Sequence, residues 1–373
     1  MCMKFVLRKK LIYPCLFILS LLLRMVSKTL FDLKTFNGIK TTFLIFVMVY
    51  LIQLIMGLFI LLYRKITNKP KKKEVKFRKI KLIKNIGFKK PDSNIKIAIL
   101  IFFAAFFEIT GAISRRYFTQ KLPDDRYEEY HAKFRCIEII LASALCYCTF
   151  RVNINKHQLL SLIIIVVCFI VVLIIDIVSE DDVIKNIGNI IFSSICRVFL
   201  DTIEKYLFDY DYIDVFDIMG YEAIINSFLT PILYISNKPR KEIKNLFAKD
   251  ILLIILTLFL LFFYSLFTLF KNIYRRFTIK FFYPMTRALS ESVLDPIFII
   301  YDKCSGNYKS TFSFIVTLSC SIITIFCGCI YNEILIFYCC GLEYETHYEI
   351  SYRSESIELP STSLIIEGDD SLY

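Results

Sequence analysis

The sequence predicts an all-α, polytopic membrane protein of ten transmembrane helices, arranged as two inverted five-helix repeats. Three observations predict it. The chain has 373 residues and is 56% hydrophobic, too apolar for a soluble domain of that length. Several segments exceed the roughly 18 to 20 apolar residues that cross a bilayer. The net charge of +12 is confined to one stretch: Arg64 to Lys96 holds fourteen Lys/Arg and two acids, so the rest of the chain is neutral in sum.

The first predicted span is Leu11 to Leu30. It follows Arg8-Lys9-Lys10, lacks a small-residue cleavage site, and reads as a signal anchor rather than a removable leader. The second is Ile39 to Tyr63. The third, Ile95 to Phe118, contains Glu108. The fourth, His131 to Phe150, opens with Arg135 and Glu138. The fifth, His157 to Val178, is the most uniformly aliphatic. The sixth, Ile184 to Phe208, ends in Asp201, Glu204 and Lys205, and the seventh, Asp217 to Ile235, carries Glu222. The eighth is Phe247 to Phe270, the ninth Thr278 to Tyr301, and the tenth Ser310 to Tyr338.

Residues 11–178 and 184–338 are halves of nearly equal length with five spans each. An odd number of spans per half inverts one half relative to the other across the membrane, the plan of many secondary transporters. An even total puts both termini on one side. The basic loop 64–94 and the basic amino terminus, 1–10, place that side in the cytoplasm. The 238–249 loop is also basic and falls on the opposite side, against the rule. The tail 341–373 has eight acids against one Arg and is expected to be disordered and cytoplasmic.

The basic loop lies between apolar spans and has few aromatics to stack bases, so it reads as a topology signal and not as a nucleic-acid site. Thirteen Cys are scattered through apolar segments, without a CxxC pair and with only three His. That excludes a structural zinc site by spacing, and no cofactor is expected. Cys339-Cys340 reads either as an acylation site or as residues buried at the interface. No N-x-[ST] sequon occurs.

The ninth span is the most informative. Arg287, Glu291 and Asp295 lie four residues apart and fall on one helix face. Each costs roughly 2.5 to 3.5 kcal/mol at membrane depth on insertion scales, so the stripe should face protein or water. Arg287 reads either as a contact for an anionic solute or as the partner of Glu291 one turn on. Asp295, before Pro296, reads as a coupling carboxylate or as a local cap. Arg135 and Glu138 share a face of the equivalent helix in the other half, and read as site-lining or interfacial. Glu108 lies deep in its span. It reads as a proton carrier or as the partner of Lys28 or an Arg. Lys28 lines the site or snorkels to the interface. Glu204, Lys205 and Glu222 flank an Asp-rich turn that is either a gate or a solvated loop. The Asp residues there lack the Gly of a calcium loop.

Several stretches resemble the drug/metabolite transporter superfamily, in its nucleotide-sugar-transporter-like, EamA-like branch. Ser27-Lys28-Thr29 is similar to that branch's intramembrane Lys. AFFEITGAIS (Ala105 to Ser114) is similar to its acidic-x-x-Gly motif, with Glu108 where Asp is usual. The stretch from His131 to Ile174 resembles its fourth helix, hairpin and fifth helix, with Arg135 at the family's Arg. In EKYLFDYDYIDVFDIMGYEAI, Glu204-Lys205 and Tyr221-Glu222 match its Glu-Lys and aromatic-Glu pairs. PMTRALSESVLDPIFIIYD and IYNEI resemble its ninth and tenth helices. The resemblance covers residues 11–338. It implies a ten-helix fold and movement of a small organic solute by alternating access, with nucleotide sugars the best-known cargo of related branches.

The expected function is therefore transport, not enzymatic catalysis. The expected partners are a small-molecule solute, the lipid bilayer and a second copy in a homodimer, in an endomembrane or the plasma membrane. The loops offer neither a Gly-rich phosphate cradle nor a Ser-His-Asp set. A non-transporting scaffold or sorting protein that retains the fold is the alternative.

Overall fold

A helix lies at every predicted span of the computed structural model. The structure describes residues 2–5, 11–32, 42–66, 94–121, 135–151, 154–179, 182–237, 251–304 and 310–338. The basic loop, the 238–249 loop and the acidic tail lie outside them. The helices are α1 (Ile12–Asp32), α2 (Thr42–Ile66), α3 (Asn94–Lys121), α4 (Arg135–Phe150), α5 (Lys156–Ser179), α6 (Asp182–Asp209) and α7 (Val215–Asn237). They continue with α8 (Ile251–Phe281), α9 (Pro284–Ser292), α10 (Asp295–Cys304) and α11 (Thr311–Tyr331). Two short strands, β1 (Cys2–Phe5) and β2 (Leu335–Tyr338), pair antiparallel, with Cys2 opposite Tyr338 and Phe5 opposite Leu335.

Among the described residues, four helical stretches are long and apolar enough to cross a membrane: Asn94–Ser114, Lys156–Ile175, Ile254–Phe281 and Thr311–Tyr331. Ile12–Ser27 and Val47–Tyr63 are shorter apolar stretches. These spans mark the protein as membrane-embedded. Their outward faces agree with that: Ile163, Val167, Ile170 and Ile174 form an exposed aliphatic stripe along α5, at helical spacing, where a soluble helix would be polar.

Three boundaries differ from the sequence expectation. The eighth helix does not stop at Phe270; α8 runs on to Phe281. Its apolar face persists, with Tyr13 of α1 stacked on Phe277 and Phe281 at centroid distances of 5.3 and 4.7 Å, and that packing outweighs the cluster of cations at 271–276. The ninth span starts at Pro284, where the missing N–H costs nothing in a first helical turn, and it is broken. The chain turns at 293–294 and restarts at Asp295. Pro296 has no N–H for the carbonyl four residues back, so a continuous helix is disfavoured there. The tenth helix ends at Tyr331 rather than Tyr338. The Asn332 side chain donates to the Gly328 carbonyl (2.9 Å) and Glu333 takes φ 55°, the left-handed stop of a helix end. The chain then enters β2.

The main packing pairs join helices from opposite halves: α1 with α8, α2 with α7, α3 with α6, α4 with α9, and α5 with α11. At the α2–α7 crossing the backbones nearly touch. A Cβ on Gly57 would lie 2.9 Å from the Gly220 Cα, so position 57 needs glycine for this approach, whereas a Cβ on Gly220 would press on the Leu61 side chain at 3.1 Å. One apolar core joins Ile139 and Ala142 of α4, Leu162 and Ile165 of α5, Val198 of α6, Met285, Ala288 and Leu289 of α9, and Cys327 of α11. A second joins Ile101, Leu207, Phe208, Val215, Ile218 and Ile279, from α3, α6, α7 and α8.

Candidate functional site

Between these two cores the helices bury charge. On α6, Arg197, Asp201 and Glu204 recur at spacings of four and three and so share one face. On α9, Arg287 and Glu291 do the same. On α8, Arg275 and Arg276 follow the lipid-exposed first half of that helix. These side chains meet in a continuous network of guanidinium and carboxylate groups, charge-assisted and in several places forked.

Its first part crosses between the halves. Arg135 on α4 gives its Nε to both carboxylate oxygens of Asp295 (2.8 and 3.0 Å) and its Nη1 to Glu291 (2.5 Å). Arg287 on α9 reaches back to Glu138 on α4 (2.8 Å) and pairs with Asp201 on α6. Arg197 joins Glu291 at 2.7 Å and Glu138 at 3.4 Å. Arg287, Glu138 and Asp201 are wholly buried.

Its second part lies within the second half. Arg275 pairs with Asp201 and, at 2.6 Å, with Glu204. Arg276 donates to Glu204 at 2.9 Å and pairs with Glu222 on α7. Asp201 belongs to both parts. Glu204 Oε2 and Glu222 Oε1 are buried without a hydrogen-bond partner.

Of the residues singled out by sequence, Arg135, Glu138, Arg287 and Asp295 are thus brought together, and Glu204 and Glu222 join them through Arg275, Arg276 and Asp201. Glu108 stands beside the network, accepting from Asn226 Nδ2 at 2.9 Å. Lys205 does not share the path of its neighbour Glu204. It pairs with Asp209 (3.2 Å), donates to the Lys280 carbonyl (3.2 Å) and lies over the Tyr283 ring. That places it at one end of the bundle with Tyr206, Tyr210 and Phe150. Lys28 belongs to α1, but its side chain lies outside the described ones.

Glu291 is more than the intrahelical partner of Arg287. That bond is 3.3 Å long, whereas Arg135 and Arg197 approach closer. The sequence reading also missed Arg197, Arg275 and Arg276, and took Asp201 only as a helix end. The signals were present: the four-and-three spacing along α6, and the aromatic period Phe263, Phe267, Phe270, Tyr274, Phe277 that carries α8 past its cations.

A small cavity of about 20 Å³ adjoins the Arg135–Asp295 pair, lined also by Cys136, Cys168, Thr317, Cys320, Ser321 and Thr324. That is room for a water-sized occupant. No group of three His, Cys, Asp or Glu side chains among the described residues is placed to hold a metal ion. No family model matches the chain, and a search of curated proteins returns no match.

Proposed function

We propose that this protein is a multi-pass membrane transporter, moving a small organic solute by alternating access between two inverted five-helix halves. The observation that carries the reading is the pattern of packing between the halves. Exchanging them, first helix for sixth, second for seventh and so on, turns the α1–α8 contact into the α6–α3 contact. It maps α2–α7, α4–α9 and α5–α11 onto themselves. A two-fold relation between halves produces that pattern, and rocking of repeats about a shared interface is how such folds alternate access.

The inter-half ion pairs then act as a clasp. Arg135 and Glu138 of one half hold Arg287, Glu291 and Asp295 of the other, and opening the passage exchanges these bonds for contacts to solute or water. Arg135 and Arg287 are compensated by carboxylates in this closed arrangement, so an anionic solute such as a nucleotide sugar would have to displace those carboxylates to reach them. The termini lie in the cytoplasm in this reading, and the network sits at middle depth.

The saturation of Arg287, wholly buried among Asp201, Glu138 and Glu291, favours a second reading: a non-transporting membrane scaffold in which the network is purely structural. Purified full-length protein in liposomes separates the two. Counterflow of any member of a panel of organic anions, zwitterions and cations, abolished by Arg135→Ala, supports transport. Absence of counterflow across the panel, with a working transporter as control, supports the scaffold.

A further inference from the structure

We infer that the Glu204–Glu222 pair on Arg276 is a proton-binding site: the two carboxylates hold one proton between them, resting on Glu222. Three features converge on it. The first is how the guanidinium is shared. Nε and Nη2 form one edge of its plane. At Arg135 that edge goes to one carboxylate, Asp295, at 2.8 Å from both nitrogens. At Arg287 it goes to Asp201. At Arg276 the same edge takes two carboxylates, with Nε on Glu204 Oε1 (2.9 Å) and Nη2 on Glu222 Oε2. Two anions held against one edge repel, and a proton between them removes the repulsion.

The second feature is the pair of oxygens that Arg276 does not engage. Glu204 is wholly buried and Glu222 is 1% exposed. Glu204 Oε2 and Glu222 Oε1 have no hydrogen-bond partner. A bare carboxylate oxygen in a low-dielectric interior is costly. A proton taken from water onto Glu222 Oε1 makes that oxygen a neutral hydroxyl and leaves Oε2 accepting from Arg276.

The third feature is the imbalance between the two acids. Glu204 also takes Arg275 at 2.6 Å, so two guanidinium groups offset its charge. Among the described residues, Glu222 has Arg276 alone. The neighbouring helices add a further anion: Asn226, one turn beyond Glu222, donates to Glu108 of α3 at 2.9 Å. On α7 itself Asp217 lies five residues before Glu222. The packed helix α2 holds no Asp, Glu, Lys, Arg or His from Thr42 to Tyr63. The other cations of α8 are Lys271, five residues before Arg276, and Lys280, which pairs with Asp214 at 3.0 Å. On α6, Lys205 pairs with Asp209. Because α7 packs on α2 and α3 of the first half, the proton sets the charge of a helix at the boundary between halves. A coupling role for it rests on the transport reading; proton binding does not.

The test is infrared spectroscopy of the full chain in nanodiscs at a pH of about 7.5, where exposed Asp and Glu are ionised. The readout is the C=O stretch of a protonated carboxylic acid, taken as the difference between wild type and Glu222→Gln. The expected difference is a positive band that shifts in deuterium oxide. Gln is the neutral isostere of a protonated Glu, so stability is the second readout. Glu222→Gln is expected to unfold within about 2 °C of wild type, whereas Glu204→Gln, which neutralises the acid held by two guanidinium groups, unfolds at a lower temperature. A flat difference spectrum overturns the site, as does a Glu222→Gln chain that fails to fold or unfolds far below wild type. A band lost in Glu108→Gln and kept in Glu222→Gln assigns the proton to Glu108 and overturns it too. None of these outcomes depends on solute flux, so failure here leaves the transport reading standing, and failure of counterflow leaves the proton site standing.

Discussion

The two parts of the charge network use the same chemistry for different connections. Among the described residues, Arg276 is ion-paired with Glu204 on α6 and Glu222 on α7, which brace α8 within the second half. Among the described residues, the ion pairs of Arg135 cross to the other half, to Glu291 on α9 and Asp295 on α10. One arrangement holds the second half together; the other holds the two halves to each other. Buried ion pairs are poor sources of net stability but strongly penalise the loss of one partner. The same class of substitution should therefore unfold the protein in one place and loosen it in the other.

The largest expected effect is at the brace. Arg276→Ala leaves Glu222 buried without its cation and Glu204 with Arg275 alone, and should cost about 3–5 kcal/mol, read as loss of folded protein and a lowered unfolding midpoint. Next is the clasp. Asp295→Asn keeps the side-chain shape and one hydrogen bond to Arg135, and Glu291 remains. About 1.5–3 kcal/mol is expected, read as faster alkylation of the buried thiol of Cys136 with helical content unchanged. If Asp295→Asn unfolds the chain as Arg276→Ala does, the distinction between clasp and brace collapses.

Gly57→Ala probes the same boundary through packing. Its Cβ meets the Gly220 backbone at 2.9 Å, so α2 and α7 must separate, at about 1–3 kcal/mol. A cross-link between cysteines introduced along α2 and α7 should slow in this variant, while the brace within the second half is unaffected. The smallest effect is Tyr264→Phe. Arg24 donates to the Tyr264 hydroxyl from Nε (3.2 Å) and Nη2 (3.0 Å), linking α1 to α8. Removing the hydroxyl should lower stability by about 0.5–1.5 kcal/mol, measured as a shift in midpoint alone.

Helices were legible in the sequence because apolar run length and period are local. Lys156–Ser179 was read to within a residue at each end, and the break in the ninth span was marked by Pro296. The end of the eighth helix was not legible by hydropathy, since Lys271, Arg275 and Arg276 look like a loop until their partners are known. The partners of Arg275 and Arg276 lie on α6 and α7, at sequence separations of 54 to 74 residues. No spacing rule pairs residues so far apart. For the same reason the sequence offers only Arg287, four residues away, as a partner for Glu291, when the shorter bonds come from Arg135 and Arg197. The left-handed Glu333 that stops the tenth helix was hidden by the apolar residues after it, which continue as a strand.

The β1–β2 ribbon sets residue 2 beside residue 338, so the packed chain is nearly a ring. A covalent loop between Tyr338 and Cys2 would close it, and a cut between Ser179 and Asp182 would reopen it with the second half translated first. Every helix pair described above survives that rearrangement. The order in which the two halves are synthesised is thus separable from the way they pack.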